Sequence, residues 1–293
     1  MKSPRTKLSY KSKKKVIAIT GSTGTLGKKF TEKYKNFFYL KVKFDISDKK
    51  KLVDWIKKKN FDAFIHFAAV VPIYKVKNDK KKAMEVNYIA TKHIVDSLIR
   101  YKNKDNFFFF YASTSHVYKP IIKKISESSE IKPINFYGKT KSLSEKYILK
   151  KMNKSKIKYV IGRIFSFTDA RQSSSFFIPS IFKKFTQKKN LYEFSNLNKF
   201  RDFVSTSDIV KAIYLLFRKK KVGIFNIGSG NKYLLKDIVL LIKKMYYGEK
   251  KIIFYKMNRD DNLVSNNSKL KKLGWLPKED ITKIIKSYYR YNK

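Results

Sequence analysis

Residues 16–27 read VIAITGSTGTLG, a β-prone apolar run that leads into a loop with glycine at every third position. Gly21 permits a tight turn after the predicted strand, and Gly24 lets the backbone approach a diphosphate. Gly27 allows the next helix, expected from Gly24 to Tyr34, to pack closely on the strand while its N-terminus faces the anion. A plain glycine turn is the alternative. The strand and helix on either side favour a dinucleotide site, whose candidate loop residues are Gly21, Thr23, Gly24, Thr25, Leu26 and Gly27.

Further apolar strands alternate with amphipathic helices up to about residue 165. We expect strands over Val42–Phe44, Asp62–Ala69, Asn106–Ala112 and Lys158–Phe167. We expect helices over Asp48–Lys58 (with Ser47 as its N-cap), Ala83–Tyr101 and Ile134–Lys151. Strands that are apolar on both faces indicate a parallel sheet covered by helices on both sides. The predicted fold class is therefore α/β, a Rossmann doubly wound parallel sheet with a smaller C-terminal substrate-binding lobe.

The periodicity divides the chain into three parts. We expect a basic N-terminal tail over 1–14, an NAD(P)-binding Rossmann domain over 15–165, and a mixed segment over 166–293. The mixed segment supplies the remaining sheet strands and the substrate-binding lobe. Its expected elements are a helix over Pro179–Gln187, a strand over Phe200–Val204, a helix capped by Ser207, a strand over Val222–Ile227, a helix over Leu235–Tyr246 and a last helix after Pro277.

Composition narrows the function classes. The 293 residues contain no cysteine, which excludes disulfides, thiolate metal sites and a cysteine nucleophile. A net charge of +47 suggests nucleic-acid binding, yet the cations are 61 Lys and only eight Arg, spread over the whole chain. Proteins that read bases and phosphates favour Arg, so we expect a solvated lysine surface and no specific nucleic-acid site. Without an apolar signal region or a membrane-length stretch, a cytoplasmic protein without membrane or metal partners is predicted.

The segment after the glycine loop bears on the choice of cofactor. The acidic residue that usually follows by about 20 positions and holds the ribose 2′-hydroxyl is missing. Residues 39–43 read YLKVK, and lysines here tolerate a 2′-phosphate, although the lysine-rich composition explains them equally well. We predict NAD or NADP, with a lean toward NADP. Asp45 is a candidate contact for the adenine, or an ordinary loop-end acid, and Ile46 beside it is a candidate cofactor contact.

Tyr137 and Lys141 form a Y-x-x-x-K pair on one face of the predicted helix 134–151. An ammonium beside a phenol lowers the phenol's pKa from about 10, and a shift to about 7 requires roughly 4 kcal/mol of differential stabilisation. The motif alone is unspecific, because chance gives about four such pairs in this composition and eight occur. Tyr137 is singled out because its segment follows the fourth strand and begins a helix. A phenol tuned in this way is a general acid or base at neutral pH.

Residues 112–118, ASTSHVY, place hydroxyls and an imidazole at the end of the predicted fourth strand. Active sites of parallel sheets lie at the carboxyl ends of strands. A hydroxyl there can hydrogen-bond a substrate oxygen as it gains alkoxide character, which makes Thr114 and Ser115 candidates. Hydroxyls bonded to their own backbone are the alternative. His116 is a candidate acid or base, with an ordinary cleft-lining histidine as the alternative.

These motifs, in this order, resemble those of the extended short-chain dehydrogenase/reductase family, which comprises NAD-dependent nucleotide-sugar epimerases, dehydratases and 4-ketoreductases. The likeness covers nearly the whole chain. Besides the glycine loop and the Tyr137/Lys141 pair it includes HFAA at 66–69, STSHVY at 113–118, RDFV at 201–204, NIGSG at 226–230 and LGWLP at 273–277.

The resemblance implies a role for each matching position. Tyr137 would move a proton at the sugar oxygen, and Thr114 would hydrogen-bond the same oxygen. Lys141 would bind the nicotinamide ribose and lower the Tyr137 pKa. The resemblance also implies cofactor contacts at Phe67, Ala68 and Ala69 and substrate contacts at Ser115, Arg201 and Arg259. Many members are homodimers, and a homodimer built on two sheet helices, 134–151 among them, is a candidate assembly.

One departure from the family pattern limits the chemistry. Dehydratases carry an Asp-Glu pair directly after the threonine, where this chain has Ser115 and His116, so elimination of water is not expected. The short link between glycine loop and second strand and the S-T-x-x-V-Y strand end favour a reductase slightly over an epimerase. The expected function is NAD(P)-dependent 4-keto reduction or 4-epimerisation of a nucleotide-activated sugar. The alternative is a non-catalytic Rossmann protein that senses cofactor or binds nucleic acid through its lysines.

Overall fold

The computed structural model describes residues 14–102, 104–187, 189–246, 251–255 and 262–292. The strands in these ranges are β1 (Val16–Thr20), β2 (Phe38–Lys41), β3 (Ala63–His66), β4 (Phe108–Thr114), β5 (Lys158–Ile164), β6 (Ser166–Thr168), β7 (Leu191–Ser195), β8 (Phe200–Arg201), β9 (Phe203–Ser205), β10 (Gly223–Ile227), β11 (Tyr233–Leu234) and β12 (Lys251–Tyr255). The helices are α1 (Thr25–Lys33), α2 (Lys49–Lys58), α3 (Ile73–Asn78), α4 (Lys80–Met84), α5 (Ala90–Lys102), α6 (Phe136–Met152), α7 (Phe177–Thr186), α8 (Thr206–Arg218), α9 (Leu235–Lys243), α10 (Ser268–Lys271) and α11 (Ile281–Asn292). The predicted substrate contact Arg259 and residues 1–13 of the predicted tail lie outside the described residues.

The central sheet has six parallel strands in the order β10-β5-β4-β3-β1-β2. Alternate residues of β4 enter two cores, because Phe108 and Phe110 face α1 and α8 while Phe109 and Tyr111 face α2, α5 and α6. This double layer of helices confirms the predicted doubly wound fold. The strand order reverses between β1 and β3, and ligands of such sheets bind at the carboxyl edge beside that reversal.

The second strand lies earlier than predicted, at Phe38–Lys41 instead of Val42–Phe44. Residues 38–41 pair in register with residues 16–19 of β1. The strand therefore starts soon after α1 ends, and only Val42 of the predicted strand is buried. The pattern of apolar residues could not distinguish a strand over 38–41 from one over 42–44, because aromatic and aliphatic residues occur in both segments.

Two helix caps differ from the sequence prediction. Asp48, not Ser47, caps α2 by accepting a hydrogen bond from the Lys51 N–H at 3.1 Å, since the Ser47 hydroxyl donates to Asp45 at 2.8 Å. Ser205, not Ser207, caps α8 by accepting from the Asp208 N–H at 3.0 Å. The predicted helix 83–101 starts earlier, at Lys80, and a π-helical turn over Glu85–Ile89 joins α4 to α5.

The later part of the chain adds β10 to the sheet and builds a separate apolar core from α7, α9 and α11. Small two-stranded pairs, β12 with β7 and β11 with β8, extend this lobe. Asp202 fastens it to the sheet, since its buried carboxylate accepts from the backbone N–H groups of Ser229 (2.7 Å), Gly230 (2.9 Å) and Ser265 (3.1 Å). The lobe therefore stands over the carboxyl edge of the sheet and forms one wall of a cleft. No helix in the described ranges is both long and apolar enough to cross a membrane.

Candidate functional site

The glycine loop joins β1 to α1 with almost no space between backbone segments. Gly21 adopts a φ of +67°, and a Cβ on it would lie 2.6 Å from the Ala68 nitrogen. A Cβ on Gly27 would overlap the Gly21 carbonyl oxygen. Gly24 is the N-cap of α1 and offers no side chain to the first-turn N–H groups, and that turn contains no acidic residue. The helix terminus is therefore a suitable site for an anion such as the diphosphate of a dinucleotide.

We expect Gly27→Ala to weaken NAD(P)H binding by about 10- to 100-fold, because the added methyl forces α1 away from the loop. Titration of the protein with NADH and NADPH, followed by nicotinamide fluorescence, measures the effect. Lys33→Ala is the matched control, since Lys33 is exposed in the last turn of the same helix. An unchanged dissociation constant in a correctly folded Gly27→Ala protein would contradict the assignment of this loop.

One cleft of about 1520 Å³ brings together every described residue that the sequence singled out as a site candidate. From the sheet side these are Gly21, Thr23, Gly24, Thr25, Leu26, Gly27, Asp45, Ile46, Phe67, Ala68, Ala69, Thr114, Ser115, His116, Tyr137 and Lys141, and from the lobe Arg201. The cleft is large enough for a dinucleotide beside a second ligand. Among the described residues, no group of three or more His, Asp or Glu could hold a metal ion.

Asn135 fixes the relation between α6 and the end of β4. Its Oδ1 accepts a hydrogen bond from the Gly138 N–H at 2.8 Å, which makes it the N-cap of α6. This sets the amide orientation, so its Nδ2 is the group that faces His116 Nδ1 at 2.8 Å. An amide nitrogen only donates, so Nδ1 accepts and the proton of the neutral imidazole sits on Nε2. The Tyr137 ring meets the imidazole edge-on, with 6.1 Å between ring centroids.

Gly138 explains how Tyr137 comes so close to the end of β4. A Cβ on Gly138 would overlap the His116 carbonyl oxygen, so only glycine allows this approach. Thr114, at the end of β4, accepts a 3.3 Å hydrogen bond from the His116 N–H. This contact uses one lone pair of the Thr114 hydroxyl and leaves its proton for another acceptor.

The protonation of the Tyr137/Lys141 pair differs from the sequence expectation. Burial raises the pKa of Tyr137 well above its usual value. Burial also lowers the pKa of Lys141 to about 7, although the Glu145 carboxylate opposes this shift. The expected lowering of the Tyr137 pKa by Lys141 is absent from the free chain, because desolvation dominates and leaves the lysine only partly charged near neutral pH. Charge at Lys141 is therefore lost as the pH rises through about 7.

Asp45 has a partner that could not be identified from sequence spacing. Its carboxylate accepts from Lys82 Nζ at 2.7 Å and from the Ser47 N–H at 2.9 Å. These contacts, the Lys82 hydrogen bond foremost, lower the pKa of Asp45 to about 2. Asp45 is thus an ionised side chain held in place at the cleft wall, with Lys41 and Lys43 lining the cleft nearby. Lys82 lies 37 positions away in a run of lysines, so spacing carries no signal for this pair.

His66 lies beneath the cleft, and its hydrogen bonds define its protonation. Thr91 donates its only hydroxyl proton to the Asn87 carbonyl at 2.8 Å, so it can only accept from His66 Nε2 at 3.0 Å. His66 Nδ1 then accepts from the Thr20 hydroxyl at 2.6 Å. Burial lowers the His66 pKa well below its usual value, which keeps the ring neutral. The Thr20 oxygen in turn accepts from the Ala68 N–H at 3.3 Å, so this chain supports the cofactor-facing loop after β3.

A buried ion pair between α6 and β5 lies beneath the site. Arg163 on β5 contacts both carboxylate oxygens of Glu145 on α6, at 2.7 Å and 3.1 Å, and Ser113 donates to the same carboxylate. Both charged side chains are only 4% exposed. Glu145 stands one helical turn beyond Lys141, so Tyr137, Lys141 and Glu145 follow one another along one face of α6. Sequence reasoning missed this glutamate, although the i, i+4, i+8 spacing was visible.

Comparison with known proteins gives concordant matches. The family model described as GDP-mannose 4,6 dehydratase matches residues 17–288. A UDP-glucose 4-epimerase of Lactobacillus helveticus is 29% identical over 287 residues, covering 86% of this chain and 84% of the relative. A dTDP-4-dehydro-6-deoxyglucose reductase of Escherichia coli is 26% identical over 315 residues, covering 94% and 98%. The structure of RMD from Pseudomonas aeruginosa complexed with NADPH has the same fold, with a TM-score of 0.83, 20% identity and coverage of 94% and 98%.

Proposed function

Because the chain belongs to the NAD-dependent epimerase/dehydratase family of extended short-chain dehydrogenases/reductases, we propose that it catalyses hydride exchange at C4 of a nucleotide-activated sugar. The observation that carries the proposal is the single cleft that holds the glycine loop together with Thr114, Tyr137 and Lys141. A cofactor-sensing protein needs the loop but none of those three side chains. The matching relatives act on UDP- and dTDP-sugars, which supports the substrate class.

The chain's own groups divide the work at the sugar oxygen. When bound, the nicotinamide supplies the hydride acceptor or donor. Tyr137 gives a proton to the C4 oxygen during reduction and takes it during oxidation, and the Thr114 hydroxyl orients that oxygen. Lys141 would hold the nicotinamide ribose and, when charged, would stabilise the phenolate form of Tyr137.

His116 is not the group that removes a proton from the substrate in this proposal. Its Nδ1 is occupied by the Asn135 amide, so the neutral ring carries its proton on Nε2. Removal of a proton from substrate would require a nitrogen with a free lone pair, which this tautomer does not offer. The ring lines the cleft beside Thr114 and Tyr137. With Ser115 and His116 in place of the dehydratase acid pair, no group beside Thr114 is suited to eliminate water.

NADP is the proposed cofactor. Lys41 and Lys43 line the cleft at the end of β2, where an acidic residue would otherwise repel a 2′-phosphate. Asp45 does not take that place as a free carboxylate, because Lys82 and Ser47 already satisfy it. Arg201 lines the lobe side of the same cleft and is proposed to contact the substrate phosphates, as its guanidinium suits bidentate recognition.

We propose two alternative outcomes of this hydride transfer, 4-epimerisation and net 4-keto reduction, and each has its own support. The first matched relatives favour 4-epimerisation through a transient ketone. The S-T-x-x-V-Y strand end and the dTDP-sugar reductase that matches 94% of this chain favour net 4-keto reduction. The homodimer and the lobe boundary near residue 166 also stay predictions.

The test incubates the purified protein with UDP- and dTDP-hexoses and a 4-keto-6-deoxy nucleotide sugar, each with NADH and NADPH. A reductase consumes reduced cofactor in proportion to product. An epimerase interconverts C4 epimers without net change in absorbance at the nicotinamide wavelength. Absence of turnover on all of these substrates, together with tight and steeply salt-dependent RNA binding, would instead support the non-catalytic alternative.

A further inference from the structure

Tyr111 lies directly beneath Lys141. The Lys141 Nζ is 4.1 Å from the centroid of the Tyr111 ring, which is the geometry of a cation–π contact. Tyr111 is fully buried on β4, in register beside His66, which in turn pairs with Thr20 at the start of the glycine loop. The ring therefore lies beneath the cleft, in contact with the candidate lysine.

The ammonium has few other sources of stabilisation among the described groups that face it. Glu145, on the same helix, is already engaged by Arg163 and Ser113. His66 on β3 is neutral, because burial and then the nearby Lys141 charge lower its pKa well below its usual value, so it offers the ammonium no counter-charge. Tyr137 is a neutral phenol at physiological pH, because burial raises its pKa. The Tyr111 ring is thus the group in direct contact with the ammonium from the sheet side.

The hydroxyl of Tyr111 takes no part in the contact with Lys141. It is buried and makes no hydrogen bond of normal geometry among the described residues. The Ser144 and Thr91 hydroxyls approach it, and because each donates its own proton to the Asn87 carbonyl at 2.8 Å, each could act toward the phenol only as an acceptor. The hydroxyl is not hydrogen-bonded to Lys141, so the contact between the two side chains is made by the ring.

We propose that Tyr111 is a positioning residue whose ring face holds the Lys141 side chain in its charged form beneath the cofactor site. The proposal deepens the proposed function, since it rests on Lys141 as the ammonium that serves Tyr137. It predicts that the aromatic face can be kept without the hydroxyl but cannot be replaced by an aliphatic side chain of similar burial.

The first experiment needs no cofactor and no substrate. In the free protein, a lysine whose pKa is lowered by burial makes the free energy of unfolding rise with pH, starting at its folded pKa, since the unfolded chain then binds more protons. Urea unfolding between pH 5 and 9 is measured for wild type, Tyr111→Phe and Tyr111→Leu, each with and without Lys141→Met. The Lys141-dependent difference isolates this one group from all other titrations.

The expected result is that the rise starts near pH 7 in wild type and at the same pH in Tyr111→Phe. In Tyr111→Leu it starts about half a pH unit lower or more, because the charged form has lost its contact. The Leu variant also loses overall stability through the cavity it creates, but that loss is independent of pH and cancels in the difference. Equal onsets in the Leu and wild-type backgrounds, or a shift in Tyr111→Phe as large as in Tyr111→Leu, would overturn the proposal.

The second experiment connects the contact to function. The high-pH limb of turnover, with the substrate found by the screen above, should move to lower pH in Tyr111→Leu and stay in place in Tyr111→Phe. If the unfolding shift occurs while no substrate is turned over, the Tyr111–Lys141 contact stands and the proposed activity fails. If turnover is found and the unfolding onset does not move, the activity stands and the role of Tyr111 fails.

Discussion

Tyr137→Phe is expected to lower turnover by about 10²- to 10⁴-fold, the usual contribution of a positioned general acid or base. The substitution removes one oxygen from a side chain that packs edge-on against His116, and the ring itself keeps that contact. NAD(P)H affinity should stay within about twofold, because the glycine loop and Lys141 are untouched. Steady-state kinetics and fluorescence titration on the same preparation separate the two effects.

Tyr147→Phe is the matched control for Tyr137→Phe. Tyr147 begins another Y-x-x-x-K pair on the same helix, with Lys151 as its lysine. Its hydroxyl donates to the Asp96 carboxylate at 2.7 Å on the outer face of α6, outside the cleft. Turnover in Tyr147→Phe should therefore match wild type. Loss of activity in Tyr147→Phe equal to that in Tyr137→Phe, or full activity in Tyr137→Phe, would refute the role of Tyr137.

The same comparison shows how far the sequence could go. Eight Y-x-x-x-K pairs were present, and the motif could not rank them. The position of Tyr137 after the hydroxyl-bearing end of β4 distinguished it from the other seven tyrosines. All strands of a parallel sheet run in the same direction, so their carboxyl ends meet at one edge. The strands themselves were recognisable because residues such as Phe108 and Phe109 are buried on opposite faces, which leaves a continuous apolar run in the sequence.

Contacts between elements were beyond the sequence for a physical reason. The Asp45–Lys82 pair and the Tyr111–Lys141 contact depend on the register of strands and on the rotation of helices over the sheet. Neither is encoded in spacing along the chain. The direction of the Tyr137 pKa was missed for the same reason, since burial of the phenol itself raises its pKa and burial also lowers the pKa of Lys141. Motifs gave the identity of the groups, and packing decides their charge.

Packing also gives Glu145 a second function besides its effect on Lys141. Its carboxylate ties α6, which carries Tyr137, to β5 through Arg163. Arg163 continues the connection by donating to the Tyr118 hydroxyl at 2.8 Å and the Glu127 carbonyl at 3.1 Å. A change at this pair should therefore be felt in the stability of the whole sheet edge as well as in the pH dependence of Lys141.

Glu145→Gln is expected to reduce the free energy of unfolding by about 3–5 kcal/mol, because it leaves the Arg163 guanidinium buried without its counter-charge. Glu130→Gln is the control: Glu130 pairs with Lys119 at a similar distance of 2.7 Å, but both side chains are about half exposed, and such pairs contribute at most about 1 kcal/mol. Urea unfolding of both variants gives the comparison directly.

The double variant Glu145→Leu/Arg163→Met separates the cost of an unpaired charge from the worth of the pair. Apolar groups of similar volume remove both charges at once, so the double variant should lose at least about 2 kcal/mol less than the sum of the single Glu145→Leu and Arg163→Met variants. Additive losses would mean that each side chain acts through its packing alone. In that case Glu145 would not be the electrostatic link between α6 and β5, and its influence on Lys141 would have to come from helix position.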